Sequence, residues 1–174
     1  MRKLRMSELN RLSLEEFKNE QKHPFQIALD EVRSTLNVGS VFRTADAFRC
    51  EKIHLGGLSP QPNKEMRKTA LGATESVDWE HHPHGLKHLE NLKKDGYQIW
   101  AIEQCEGSVL LEDWQPDLKQ KQIFVFGNEV KGVSDEILAI CDGAIEIPQF
   151  GTKHSLNISV SAGIVVWDYI RRMI

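Results

Sequence analysis

The sequence has few cysteines, and they follow no recognisable pattern. Three occur in 174 residues, at Cys50, Cys105 and Cys141. Their odd number and wide spacing match neither a disulfide framework nor a metal-binding motif. Disulfide-stabilised secreted domains and zinc fingers are therefore excluded, and the thiols indicate a reducing compartment. We expect no structural disulfide and no bound metal.

Long hydrophobic runs are also missing. No stretch approaches the ~18 consecutive apolar residues of a membrane-spanning helix. The first five residues, Met1-Arg2-Lys3-Leu4-Arg5, are basic but lack the apolar block and the small-residue cleavage site of a secretion signal. We therefore expect a cytoplasmic protein without a membrane segment.

A strong excess of either charge is missing as well. The net charge is −3, whereas binding to a polyanion draws most of its affinity from Lys and Arg side chains. A polyanionic partner would therefore have to contact local basic clusters, each of which is equally compatible with an ordinary solvated surface. The clusters contain Arg2, Lys3, Arg5 and Arg11 near the N-terminus, and Lys64, Arg67 and Lys68 further along.

The composition that remains is that of one globular domain, with 40% hydrophobic and 27% charged residues. Ser13 and Glu16 form a capping-box pattern that predicts a short N-terminal helix. Beyond it, apolar runs alternate with amphipathic segments, which predicts an α/β fold with a parallel sheet covered by helices. We divide the chain into a helical extension, 1–24, and a single domain, 25–174. Predicted strands are 26–32, 52–55, 97–102, 123–126 and 144–147, and predicted helices are 39–48, 64–71, 86–94, 135–140 and 156–173.

Ligands of parallel sheets bind at the carboxyl ends of the strands, so polar side chains in the loops that follow the strands are candidate ligand contacts. In the first loop, Gly39 is predicted to open a helix, and Asn37 can cap it or hold a ligand. Arg43 follows one turn later. Its guanidinium can fork onto a phosphate or orient a ribose oxygen, or it can form an ordinary surface salt bridge.

The second loop follows the apolar strand 123–126 and reads Gly127-Asn128-Glu129, with Gly132 shortly after. Glycine at a strand end lets a ligand approach the backbone closely, and Glu129 places a carboxylate at the same edge. The alternative is a tight turn from strand to helix that binds nothing.

The third loop runs from Ile147 to Asn157 and leads into the final helix. Ser155 can cap that helix, or Ser155 and Asn157 can face a substrate while the loop backbone lines a cofactor pocket. A hydrolase pair of His154 and Ser155 is disfavoured, because adjacent residues rarely present base and nucleophile to each other and no nucleophile-elbow pattern surrounds the serine.

Together and in this order, the three loops resemble the SpoU/TrmH class of the SPOUT superfamily of RNA methyltransferases, over about residues 26–172. The resemblance implies a C-terminal deep trefoil knot, S-adenosyl-L-methionine as the cofactor, and a homodimer whose active site borrows residues across the interface. It further implies methyl transfer to a ribose 2′-hydroxyl of structured RNA. The absence of an additional N-terminal domain favours tRNA over rRNA.

The resemblance also implies roles for individual residues. The catalytic constellation would be Arg43, Asn37, Glu129, Ser155 and Asn157. Cofactor contacts would come from Ile102, Glu103, Gly127, Asn128, Ile147, Ser155 and Leu156. RNA contacts are predicted from Arg2, Lys3, Arg5, Arg11, Arg67 and Lys68, and segment 67–73 resembles the substrate-side region of the class. The family's proposed general base is this arginine, but a guanidinium stays protonated in proteins, so we expect Arg43 to orient the ribose and phosphate.

The predicted final helix independently favours a dimer. Ile158, Ala162, Val165 and Tyr169 share one apolar face, whereas Val160, Ile164, Trp167 and Ile170 lie on others. A helix that is apolar on more than one side needs more than one partner, although burial within a monomer is the alternative.

Three other functions are alternatives to methylation of a ribose. The first two are a catalytically silent RNA-binding protein of the same fold and a base-directed RNA methyltransferase. The third is a nucleotide-binding oxidoreductase, which the single glycine of the first loop disfavours.

Overall fold

The computed structural model describes the backbone of residues 1–174 and every side chain except that of Met6. Across the described chain, seven parallel strands form one sheet in the order β3-β2-β1-β6-β4-β7-β5. The strands are β1 His23–Asp30, β2 Cys50–Gly56, β3 Trp79–His82, β4 Gln98–Ile102, β5 Val109–Leu110, β6 Gln122–Phe126 and β7 Gly143–Glu146. The helices are α1 Leu14–Asn19, α2 Thr35–Ala47, α3 Met66–Ala70, α4 Ala73–Ser76, α5 Gly85–Lys94, α6 Asp135–Leu138 and α7 Ile158–Arg171, with a 3-10 turn at Met6–Glu8.

Helices cover both faces of the sheet, and the central strands β1 and β6 contribute buried apolar side chains to both faces. Phe25 and Phe124 pack on the face covered by α2 and α7, whereas Ala28 and Val125 pack on the face covered by α5 and α6. This follows from the alternation of side chains along a strand. The predicted α/β class with a parallel, doubly covered sheet is therefore confirmed.

The N-terminal helix forms as its capping pattern predicts. The Ser13 hydroxyl accepts a hydrogen bond from the Glu16 backbone N–H at 3.2 Å, and the Glu16 carboxylate accepts one from the Ser13 N–H at 2.7 Å. Phe17 is buried in the main core. Helix α1 thus packs onto the α/β core through Phe17.

Two predicted helix starts are wrong, and in each case a different polar side chain makes the cap. Helix α2 begins four residues before Gly39, because Ser34 caps it by accepting from the Asn37 N–H at 3.2 Å. Helix α7 is capped by Asn157, which accepts from the Ser159 N–H at 2.9 Å, and not by Ser155. The amide of Asn37 is therefore free for other partners.

Gly39 serves helix packing instead of helix initiation. A Cβ on this residue would overlap Thr69 Oγ1 and lie 2.9 Å from the backbone oxygen of Met66. Glycine therefore lets α3 approach α2 closely, and this contact fixes where the basic residues of α3 stand relative to α2. The sequence pattern also missed the short strands β3 and β5, which form the two edges of the sheet.

All three cysteines are free thiols, and of these Cys50 alone is fully buried. Among the residues that the structure describes, no helix is both long and apolar enough to cross a membrane. The deep trefoil knot implied by the resemblance stays a prediction.

Candidate active site

A cavity of about 530 Å³ opens at the carboxyl ends of β4, β6 and β7, beside the start of α7. This volume falls in the usual range for small-molecule sites. Ile102 closes β4, Phe126 closes β6, and Ile147 follows β7, so the strand ends supply its apolar wall. The loops that leave these strands supply its polar wall.

A chain of hydrogen bonds joins three polar side chains that line the cavity. The Asn37 side-chain N–H donates to Glu129 Oε1 at 3.1 Å, and the Asn157 side-chain N–H donates to Asn37 Oδ1 at 3.1 Å. Asn157 Oδ1 in turn accepts from the Ser159 N–H at 2.9 Å. These hydrogen bonds connect residues up to 120 positions apart in sequence, with one residue from each of the three motif loops.

The amide orientations in this chain are determined by chemistry. An ionised carboxylate only accepts hydrogen bonds, so Asn37 must present its NH₂ to Glu129 and its oxygen to Asn157. Asn157 must then donate to Asn37 and keep its own oxygen for the cap of α7. Each amide therefore has one allowed orientation, which holds the constellation rigidly.

The Glu129 carboxylate, at one end of this series of hydrogen bonds, also accepts hydrogen bonds from the backbone. Glu129 also accepts from the backbone N–H groups of Arg33 and Ser34, each at 3.1 Å. Burial acts to raise the pKa of the Glu129 carboxyl, but hydrogen bonds, led by that from Arg33 and including those from Asn37 and Ser34, outweigh it and lower that pKa below its ordinary value. Glu129 is thus an anion at neutral pH that anchors the N-terminus of α2, where negative charge is favoured.

The turn after β6 is held by two further side chains. Asn128 donates to the Glu31 carbonyl at 2.7 Å and accepts from the Val130 N–H at 2.9 Å. Glu103, at the end of β4, accepts from the Val133 N–H at 2.9 Å. A Cβ on Gly127 would overlap the backbone of Gly132. Gly127 therefore serves the closure of this turn as well as lining the cavity.

Every predicted catalytic or cofactor-contacting residue lines this cavity except Arg43. The lining residues among them are Asn37, Ile102, Glu103, Gly127, Asn128, Glu129, Ile147, Ser155, Leu156 and Asn157. Arg43 is exposed on α2 and, among the described side chains, makes no hydrogen bond or ion pair. Six residues along a helix advance about 9 Å, and they also turn Arg43 away from the face that carries Asn37.

The predicted RNA-contacting residues all lie on the surface. Arg2 pairs with Glu8 at 2.6 Å, which occupies part of the first basic cluster. Arg67 and Lys68 are exposed on α3, against α2. The basic cluster of Arg67 and Lys68 therefore lies on a helix that packs against α2, which carries Asn37. In the described part of the chain, the N-terminal basic cluster has no such position.

The sequence interpretation overlooked some lining residues. Gln104, Gln149 and Ser161 face the cavity, and His154 lines it as well. Gln104 directly follows Ile102 and Glu103, the predicted cofactor contacts at the end of β4, so it lies in a loop that was expected to line the cofactor. Gln149 and Ser161 carry no comparable signal.

The fold and the cavity are typical of one class of α/β proteins. Members of this class bind a small molecule at the carboxyl ends of a parallel sheet, next to the start of the last helix. The family model described as the SpoU rRNA Methylase family matches residues 24–167. The chain belongs to this family, as the resemblance predicted.

Related proteins are similar over most of this chain. The tRNA (guanosine(18)-2′-O)-methyltransferase of Thermus thermophilus is 29% identical over 171 residues, covering 95% of this chain and 84% of that protein. The 23S rRNA (guanosine-2′-O-)-methyltransferase RlmB of Neisseria meningitidis is 30% identical over 171 residues, covering 95% of this chain and 66% of that protein. The mouse tRNA (guanosine(18)-2′-O)-methyltransferase TARBP1 is 27% identical over 140 residues, 79% of this chain but only 9% of its own length.

Solved structures agree with this assignment. The A. aeolicus TrmH/SpoU tRNA modifying enzyme superposes with a TM-score of 0.80 at 27% identity, covering 91% of this chain and 81% of that chain. The AdoMet-bound rRNA methyltransferase from Sinorhizobium meliloti superposes with a TM-score of 0.81 at 25% identity, covering 91% of this chain and 60% of that chain.

Proposed function

We propose that this protein transfers a methyl group from S-adenosyl-L-methionine to a ribose 2′-hydroxyl of a structured RNA. The observation that carries the proposal is the chain of hydrogen bonds from Glu129 through Asn37 to Asn157, set in the cavity of a SpoU-family fold. Relatives named for guanosine 2′-O-methylation of tRNA and of 23S rRNA match at similar identity, 29% and 30%. Mapping of the methylated nucleotides in tRNA and in rRNA distinguishes these two substrates.

The cavity suits this cofactor. Ile102, Ile147 and Leu156 offer apolar surface for an adenine ring, and Glu103 with Gln104 offers polar groups at the same edge. When bound, the cofactor supplies a methyl group already activated on a sulfonium, so the protein mainly supplies placement and electrostatics. The rigid amides of Asn37 and Asn157 border the space where the ribose would meet that methyl group.

Arg43 needs a second protomer to take part. It lies in an exposed stripe of α2 that also contains Leu36, and α7 presents a matching stripe with Val160, Ile164 and Trp167. Asn37 contacts Asn157 at one end of this helix pair, and the rings of Phe48 and Trp167 lie 6.0 Å apart at the other. The two stripes therefore run side by side.

We propose that this double stripe is the homodimer interface. Leu36, Val160, Ile164 and Trp167 are 48%, 49%, 37% and 51% exposed, an extent of unpaired apolar surface that marks an interface. The other predicted outward residue, Ile170, is only 5% exposed and belongs to the core. In the dimer Arg43 would orient the ribose and its phosphate at the partner's cavity.

A mixing experiment tests the proposed placement of Arg43. Homodimers of Arg43→Ala and homodimers of Leu156→Asp, which puts a charge into the cavity, are each expected to be inactive. Co-expressed at equal levels, they should recover about a quarter of wild-type activity, because half of the dimers are mixed and each of these carries one intact site. If Arg43 acts within its own protomer, the mixture stays inactive. Near-normal single-turnover rates for Arg43→Lys would contradict the orienting role altogether.

The activity itself is tested by mapping 2′-O-methyl nucleotides by mass spectrometry in tRNA and rRNA from cells with and without the gene. We expect one ribose methylation to be lost without the gene and restored by the wild-type protein but not by Arg43→Ala. Loss of a base methylation alone would favour a base-directed enzyme. If no RNA modification is lost and calorimetry finds no S-adenosyl-L-methionine binding, the protein is a silent RNA-binding relative.

A further inference from the structure

Four side chains that can ligate a metal gather away from the cofactor cavity. They are His54 on β2, Glu80 and His82 on β3, and His88 on α5, and one donor atom from each lies within 4.8 Å of the others. Residues 54 and 80 are register partners on neighbouring strands, and residues 80 and 82 face the same side of β3. Helix α5 returns over this face, so the cluster lies between an edge strand and the helix that covers it.

His54 is held in the orientation that a metal-binding histidine requires. Its Nε2 lies 2.7 Å from Gln26 Oε1, while the Gln26 NH₂ donates to Glu51 Oε2 and to the Tyr97 hydroxyl, each at 3.0 Å. Because a carboxylate only accepts, Gln26 must offer its oxygen to the imidazole, which therefore carries its proton on Nε2. The Nδ1 lone pair then faces His88 Nε2 at 3.0 Å. An amide or carboxylate oxygen behind the imidazole is the usual support of a metal ligand.

The imidazole of His82 is poorly satisfied as it stands. Within the described part of the chain, His82 Nε2 is buried without a hydrogen-bond partner, although it lies 3.2 Å from Glu80 Oε2. Its ring stacks on that of His88, with centroids 3.4 Å apart. The second Glu80 oxygen contacts Lys52, so Oε2 is the one left for a ligand.

We propose that His54, His82, His88 and Glu80 form a structural site for one Zn²⁺ ion. Three imidazoles and a carboxylate are donors that zinc favours over magnesium or calcium. Zinc–nitrogen bonds of about 2.0–2.1 Å in a tetrahedron place the donor atoms ~3.4 Å apart, close to the 3.0 Å and 3.2 Å separations present here. Binding opens the stacked pair, since each ring must direct its lone pair at the ion. The ion would tie the edge strand β3 to β2 and to α5.

The test uses the full-length protein without a polyhistidine tag, stripped with a chelator and titrated calorimetrically with Zn²⁺ alone. We expect one Zn²⁺ per chain for the wild type. His82→Ala and Glu80→Gln, whose side chains are only partly buried, are expected to weaken binding at least tenfold while retaining the wild-type circular dichroism spectrum. The matched control is His84→Ala, an exposed histidine at the start of α5 whose side chain makes no cap, and it should bind as the wild type does.

Thermal unfolding provides a second readout that is independent of methyl transfer. Because a ligand that binds only the native state stabilises it, Zn²⁺ should raise the melting temperature of the wild type and of His84→Ala but not that of His82→Ala. A wild-type protein that takes up no Zn²⁺ would overturn the proposal. So would undiminished binding by His82→Ala and Glu80→Gln, which would locate the ion elsewhere.

Discussion

The carboxylate of Glu129 offers the sharpest test of how the candidate site is held together. It accepts from Ser34 N–H and Asn37 NH₂ through Oε1 and from Arg33 N–H through Oε2, all at 3.1 Å. Glu129→Gln can keep an oxygen at only one of these positions. If the oxygen stays near Asn37, the new NH₂ faces the Arg33 N–H, and two donors oppose each other.

The expected size of the effect follows from these contacts. One hydrogen bond to a charged group is lost and two are weakened, which would amount to about 1.5–3 kcal/mol or more in a buried site. Glu129 is exposed, so solvent screening reduces this to about 1–2 kcal/mol. At ~1.4 kcal/mol for each tenfold change, kcat/KM for methyl transfer should fall about 5- to 30-fold.

The assay is transfer of labelled methyl groups from S-adenosyl-L-methionine to total RNA from cells that lack the gene. Glu112→Gln removes the same charge from an exposed position outside the cavity and should leave kcat/KM unchanged. If Glu129→Gln stays within twofold of the wild type, Glu129 does not position Asn37 for the reaction. An equal loss in both variants would assign the effect to net charge.

Three further predictions concern the fold and its association. Gly39→Ala should lower the free energy of unfolding by about 1–3 kcal/mol through overpacking. Because the added methyl group would meet Thr69, the further change Thr69→Ala should recover part of this loss in the double variant. If urea denaturation shows that the two losses simply add, the contact between residues 39 and 69 does not limit the packing. Burial, followed by the neighbouring imidazoles, lowers the pKa of His54 from 6.5 to about 3 in the folded protein. As the pH falls, His54 is therefore protonated in the unfolded chain before it is protonated in the folded one. The free energy of unfolding consequently decreases as the pH drops from about 6.5 towards 3. With zinc chelated, unfolding at about pH 5.5 should cost about 1.4 kcal/mol less than at about pH 7.5, and His54→Gln should flatten this difference; a flat wild-type profile would be the opposite result. Trp167→Glu should make the protein monomeric, as measured by light scattering. Leu58→Glu, which changes an exposed leucine in a loop, should leave the dimer intact. If the mass of Trp167→Glu equals that of the wild type, the dimer interface lies elsewhere.

The parts of the fold that could be predicted are those with a strong local signal. The apolar runs of β1 and β6 and the amphipathic pattern of α5 were recognised because burial imposes a period on the sequence. The strand β3 was missed, since Trp79–His82 reads as a polar segment with two adjacent histidines. Its second and fourth residues, Glu80 and His82, belong to the proposed zinc site, so the polar side chains that concealed the strand are the ones that can bind a metal. β5, with only two residues, is too short for any periodic signal.

The helix starts were mispredicted for a related reason. Ser34, Asn37, Ser155 and Asn157 are all good capping residues, and their local preferences do not distinguish the one that caps from the one that faces a ligand. In α2 the nearer choice, Asn37, is engaged by Glu129 from a distant loop, which leaves the cap to Ser34. Tertiary contacts, absent from any local window, decided the matter.

The same reasoning explains why the motif residues could be named but not arranged. Their types follow from the loop sequences, whereas their contacts require β6 to lie beside β1 and α7 to lie beside α2. Asn157 shows the consequence most clearly, because one amide both caps the last helix and donates to Asn37. The N-terminus of α7 and the polar wall of the cavity therefore cannot move independently. A dimer that packs on the exposed stripe of α7 would act on the cavity through this residue, and association would then be coupled to the geometry of the site.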